Sequence, residues 1–153
     1  MLQAIIVYES KYGNTKLAAE KIGEGMKQVS GVEAVLSEVK EVDLDQVTQF
    51  DTILIGSPNH IGRATASIRK LIDNLGKLKL EGNQVAVFDT YMGGDFEKAV
   101  KKMEKQLTEK VPGLKLMTPG LSIRVKGTKG PIMEGELPKC EEFGVRIATK
   151  MKE

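Results

Sequence analysis

Six consecutive residues, Ser10-Lys11-Tyr12-Gly13-Asn14-Thr15, stand between an apolar β-branched run and an amphipathic stripe, and their chemistry suits an anion. The first residues of a helix leave backbone N–H groups unpaired and carry a partial positive charge. An anion placed there is held by backbone donors. Ser10, Asn14 and Thr15 add side-chain donors, and Gly13 permits close backbone approach or a positive φ. A helix cap accounts for one polar residue at such a place, not for four hydroxyl or amide side chains in six around a glycine. The segment reads as a phosphate loop. Two competing phosphate motifs are missing: no G-x-G-x-x-G follows the first strand, and no G-x-x-x-x-G-K-[ST] occurs anywhere. Hydrolysis of a nucleoside triphosphate, which needs that lysine and a magnesium ligand set, is not expected.

The elements that must position this loop alternate along the chain. Leu2–Tyr8, Thr52–Ser57 and Gln84–Tyr91 are short, nearly continuous apolar runs of the kind that form strands covered on both faces. Val32–Val39 is looser and reads as an edge strand, and Leu114–Met117 starts a last strand that resumes at Leu121–Val125. Ala18, Ile22, Met26 and Val29 mark one face of a helix from Asn14, and Ile68, Leu71, Ile72 and Leu75 mark another over Thr65–Leu75. Phe96, Ala99, Val100, Met103 and Leu107 give a stripe over Asp95–Lys110, with Asp95 suited to its N-cap. Asp43–Val47 reads as a short helical turn, and Cys140, Phe143, Ile147 and Met151 mark a C-terminal helix from Leu137. Lys126–Pro131 and Met133–Glu136 read as loop.

Strand and helix alternating in this way predict an α/β fold with a five-stranded parallel sheet in the order 2-1-3-4-5 and helices on both faces. Ligands of such sheets bind beyond the carboxyl ends of the strands, where the order reverses. The loops after strands 1, 3 and 4 should therefore share one site. With 153 residues the chain is expected to be one domain, residues 1–153, large enough for a core without staples. A single Cys excludes an internal disulfide and any multi-cysteine metal site. A net charge of +2 gives no reason to expect nucleic acid or an anionic membrane as partner. No apolar run approaches the roughly 18 residues of a membrane span, and no signal segment stands out, so a reduced cytoplasmic protein is expected.

Ser-x-x-Gly-Asn-Thr after strand 1, Gly56-Ser57-Pro58 after strand 3 and Gly93-Gly94 after strand 4 together resemble the flavodoxin family over essentially the whole chain. Tyr12 is closer to the quinone-reductase-like members and the flavodoxin domains of flavo-diiron oxidases than to the small acidic carriers. The resemblance implies the three-layer flavodoxin-like fold and FMN as cofactor. It implies that Ser10, Lys11, Tyr12, Gly13, Asn14 and Thr15 hold the phosphate, and that Pro58, Asn59, His60, Ile61 and Gly62 follow the edge of the flavin ring. Gly62 would let its peptide turn toward the ring. Thr90, Tyr91, Met92, Gly93, Gly94 and Asp95 would form the remaining wall. Trp, the usual second aromatic cover, is absent, so Tyr91 would stack on one face and Ile61 or Met92 on the other.

The implied function is electron transfer between FMN and a redox partner protein or a small donor or acceptor. Two alternatives stay open: an FMN-dependent oxidoreductase of a quinone or porphyrinogen-like substrate, and a binding module that has lost the flavin. The near-neutral charge separates this chain from the acidic carriers, which steer toward basic partners.

Overall fold

The alternation of apolar runs and helical stripes folds into a sheet sandwiched between two helical layers in the computed structural model, which covers residues 1–153. The strands are β1 (Leu2–Tyr8), β2 (Val32–Glu38), β3 (Thr52–Pro58), β4 (Gln84–Tyr91), β5 (Lys115–Leu116) and β6 (Leu121–Arg124). Their order is β2-β1-β3-β4-β5, all parallel, with β6 also pairing with β4. β5 and β6 are two pieces of the expected fifth strand. Val85 pairs with Leu116 whereas Phe88 pairs with Leu121, so two extra residues are accommodated between the pieces. Pro119, which has no N–H for a ladder, stands in that interruption, on the edge of the sheet where the loss is tolerated.

The helices are α1 (Asn14–Lys27), α2 (Leu44–Val47), α3 (Ala66–Leu75), α4 (Lys98–Lys110) and α5 (Leu137–Met151). Strand residues alternate between two cores, as the period of two requires. Ala4, Ile6 and Tyr8 of β1 pack with Ile22, Met26, Phe143 and Ile147 of α1 and α5. Ile5 and Val7 pack with Ile68, Ile72, Met103 and Leu107 of α3 and α4. Cys140 is fully buried in the first core, and burial pushes its thiol up to about 12, so it is an inert apolar residue.

One expectation about α4 fails. The helix begins at Lys98 rather than Asp95, and its N-cap is Glu97, in the left-handed region at φ 61° with no side-chain capping bond. Asp95 does not cap: its carboxylate accepts from Asn59 Nδ2 at 2.7 Å and pairs with Lys98 Nζ at 3.0 Å. Phe96 consequently lies before the helix and is 57% exposed instead of joining the apolar stripe.

Candidate functional site

The crossover order places the ends of β1, β3 and β4 side by side, and the loops that follow them enclose a cleft of about 370 Å³. Ser10, Lys11, Tyr12, Asn14 and Thr15 form one end of it. Pro58, Asn59, His60 and Ile61 form a second wall, and Thr90, Tyr91, Met92 and Asp95 a third. Gly13, Gly62, Gly93 and Gly94 shape the turns of the same loops, at φ 92°, 77° and 65° for the first three, without lining the cleft themselves.

At the start of α1, Ser10 Oγ accepts from the N–H groups of Gly13 at 3.1 Å and Lys16 at 3.2 Å, curling the loop into the helix. Gly13 is the N-cap and needs its positive φ. The backbone N–H groups of Lys11 and Tyr12, and those of Asn14 and Thr15 in the first turn of α1, donate to no acceptor in the chain. Four unpaired donors at a helix start, with two hydroxyls and an amide beside them, fit a phosphate dianion. Thr15 is 2% exposed and shares a hydrogen bond of 2.9 Å with Thr90, so the loop is fastened to the end of β4.

The β3 wall is held by long-range bonds. Asn59 N–H donates to Thr90 O at 2.7 Å, and Thr65 N–H donates to Ser57 Oγ at 3.0 Å, closing the base of the loop. With its amide nitrogen committed to Asp95, Asn59 turns a buried Oδ1 with no donor facing it. Lys98 first, then Asn59, holds the Asp95 carboxyl below its usual range. His60 and Arg63 exchange backbone bonds of 2.7 and 3.2 Å around Ile61-Gly62, a two-residue turn with positive φ at both positions. Asn or Gly is the usual first residue of such a turn. Ile61, β-branched at φ 54° and 93% exposed, is strained without burying anything. Ile61→Asn is expected to stabilise the chain by about 1 kcal/mol, raising Tm by roughly 2–4 °C in calorimetry. An unchanged or lower Tm would show that the turn carries no strain.

Tyr91 ends β4 at 8% exposure, and the Phe96 ring meets it edge-on with centroids 5.5 Å apart. Phe96 thus braces the aromatic of the β4 wall, a role invisible while it is counted with the α4 stripe. Glu9, Thr65, Val125 and Thr128 also line the cleft, and of these Val125 and Thr128 escaped the sequence reading. Glu9 and Thr65 flank the recognised loops. Val125 and Thr128 come from the segment after β6, and only the pairing of β6 with β4 and the close approach of Gly130 to the Asn14 amide bring that segment to the cleft.

Behind the third wall, Asp89 is fully buried. It accepts from Ser122 Oγ at 2.6 Å and Val100 N–H at 3.0 Å, and Ser122 Oγ in turn accepts from Glu97 N–H at 2.9 Å. Burial outweighs these bonds and raises its carboxyl to about 6. A carboxyl raised in the fold binds its proton more tightly there than in the unfolded chain, so its contribution to stability falls as pH rises from 4 toward 7. Between about pH 4.5 and pH 7.5 that contribution changes by about 2 kcal/mol. Asp89→Asn should therefore gain about 2 kcal/mol relative to the parent over that interval in urea unfolding. Parallel pH profiles for the two proteins would refute the assignment.

A family model described as a flavodoxin domain matches residues 5–122. The chain belongs to the flavodoxin family. Flavodoxin family members bind a flavin, typically FMN, and pass electrons to redox partners. A flavodoxin of Aquifex aeolicus (strain VF5) is 29% identical over 96 residues, a match that takes in 61% of this chain and 52% of that relative. The chain thus spans about half the length of that curated relative. A solved flavodoxin from the domain Archaea superposes on 99% of the chain and 100% of its own, at 29% identity and a TM-score of 0.84. Oxidised Flavodoxin 2 from Bacillus cereus does so over 97% and 99%, at 29% identity and a TM-score of 0.82. No helix is long and apolar enough to cross a membrane.

Proposed function

We propose that residues 1–153 act as one FMN-binding electron-transfer domain working with cytoplasmic redox partners. The observation that carries this reading is the set of unpaired N–H groups at Lys11, Tyr12, Asn14 and Thr15, opening onto a cleft whose far wall holds Tyr91. Ser10, Lys11, Tyr12, Gly13, Asn14 and Thr15 would hold the phosphate, with no need for a buried cation. Tyr91 would lie against the ring on one side and Ile61 or Met92 on the other. Pro58, Asn59, His60 and Gly62, with Thr90, Gly93, Gly94 and Asp95, would supply polar contacts and close backbone approach along the ring edge. Bound FMN would supply the chemistry, taking up and releasing one or two electrons. The chain's part is to exclude water from the ring, to orient it through loops pinned at Thr15–Thr90 and Asn59–Asp95, and to leave one edge open.

The purified protein should be yellow, or should become so with FMN, with the flavin's fluorescence quenched at a stoichiometry of one. A colourless protein whose addition leaves FMN fluorescence unchanged would end this reading.

A further inference from the structure

We infer that the rim of the cleft is a docking surface for an acidic electron-transfer protein, one whose own cofactor edge is surrounded by carboxylates. The inference rests on the electron-transfer reading above and adds the chemistry of the partner.

The first support is where the apolar surface lies. The large apolar side chains exposed on this chain are Met1, Tyr12, Val35, Ile61, Met92 and Phe96. Tyr12, Ile61 and Met92 line the cleft, and Phe96 lies against Tyr91 beside it. Most of the chain's exposed apolar bulk is thus gathered at one opening, where scattered single residues would carry no meaning. Ile61 adds a second point. It stands in a left-handed turn and presents its side chain to solvent, an arrangement with no return in folding and a clear one if the flavin ring covers its inner side and a partner its outer side.

Charge decides which partner. Lys11, Arg63, Lys102 and Lys129 are exposed and pair with no carboxylate. All four are tied to the rim. Lys11 and Lys129 place Nζ 5.5 and 6.0 Å from the Tyr12 ring centre. Arg63 closes the Ile61-Gly62 turn, and Lys102 Nζ reaches to 3.7 Å from where a β-carbon on Gly62 would stand. Of the carboxylates at this end, Asp95 is occupied by Lys98 at 3.0 Å and Glu97 by Lys101 at 3.7 Å, while Glu9 lines the cleft and Glu20, Glu38 and Glu41, in no ion pair, gather around Tyr8 on the β1–β2 flank. The rim is therefore positive on its β3–α4 side, at Arg63 and Lys102, although the chain as a whole is near neutral. Opposite charge on a partner would steer encounter and set orientation, while the apolar centre would exclude water between the two cofactor edges. Nucleic acid would satisfy the cations but leave Ile61, Met92 and Phe96 unmatched, so a protein is the better fit.

The test uses the full chain labelled with ¹⁵N, with and without added FMN. An acidic plant-type [2Fe–2S] ferredoxin serves as probe, with cytochrome c as a basic counter-probe and a short DNA duplex as the third. The ferredoxin should shift or broaden the amide signals of Tyr12, Ile61, Met92 and Phe96, and its binding should weaken about tenfold or more from low to moderate salt. Arg63→Glu with Lys102→Glu should weaken it by a similar factor, while FMN uptake, read separately by absorbance, is unchanged. Signals that respond elsewhere, a response to cytochrome c in place of ferredoxin, or a response to DNA alone would each overturn the proposal. Failure of FMN uptake with the ferredoxin response intact would refute the cofactor and leave the docking surface standing.

Discussion

FMN is expected to bind this flavodoxin at least about a hundredfold more tightly than riboflavin. The two ligands differ only by the phosphate, so their ratio isolates the loop at the start of α1. Lys11, Tyr12, Asn14 and Thr15 offer backbone N–H groups with no other acceptor. Hydrogen bonds to a charged group are worth roughly 1.5–3 kcal/mol net, so two of the four at the low end already give about 3 kcal/mol, or a factor of about a hundred. Gly13→Val sharpens the test. A β-carbon at Gly13 meets nothing within 4 Å, so the branch point itself creates no clash. The variant acts by disfavouring φ 92°, which for a β-branched residue costs about 1–2 kcal/mol and lets the loop relax. The N–H groups then lose their arrangement. Riboflavin affinity should stay within about twofold of the parent's, and the ratio of the two ligands should collapse. Fluorescence titration of both ligands reads the outcome. Equal affinities in the parent protein would mean that the loop is a helix start and nothing more.

That loop was legible in the sequence because its chemistry is contiguous: anion-binding backbone, hydroxyls and glycine all fall in one stretch, Ser10 to Thr15. Sheet order was legible for a related reason. β1, β3 and β4 are buried on both faces, so Ala4–Tyr8, Ile53–Ile55 and Val85–Phe88 run without a polar residue, and β2, on the edge, is broken at Glu33 and Ser37. What escaped depends on partners far along the chain. Asp95 is the right residue type for a cap, but Asn59, which lies on the loop after β3, claims its carboxylate, and helix α4 starts later. Phe96 has the spacing of the α4 stripe and yet sits outside it, against Tyr91. Val125 and Thr128 carry no motif, and reach the cleft only through the register of β6 on β4. Asp89 lies inside a strand run, where nothing in the spacing foretells that Ser122 and the N–H of Val100 await its carboxylate.

Replacing glycine by alanine in α1 and α5 should give opposite signs at neighbouring sites. Alanine is favoured over glycine inside a helix by roughly 0.5–1 kcal/mol. At Gly23 that gain should survive. The added carbon would meet Leu36 Cδ1 at 3.2 Å and Ile6 Cδ1 at 3.6 Å, both ends of side chains that can yield. Gly25 and Gly144 are different, because each faces backbone. A β-carbon on Gly25 would press into the carbonyl oxygen of Glu141 on α5, and one on Gly144 into that of Ile22 on α1. The two glycines therefore set how closely α1 and α5 cross, and Gln28 hydrogen-bonds Glu141 at the same crossing. Neither carbonyl can move without its helix, so the helices must part and the core between them, with Ile22, Met26, Phe143 and Ile147, loses contact. Overpacking of this kind costs about 3 kcal/mol, well beyond the propensity gain. In urea unfolding, Gly25→Ala and Gly144→Ala should each lose about 2–3 kcal/mol, whereas Gly23→Ala should gain up to about 1. Because α1 also carries the proposed phosphate loop at its other end, saturating FMN should restore part of the loss by mass action, more so as its concentration rises. Three variants all gaining stability would show that helix propensity and not close approach governs this face, and three all losing it would show that Gly23 is packed as closely as the other two.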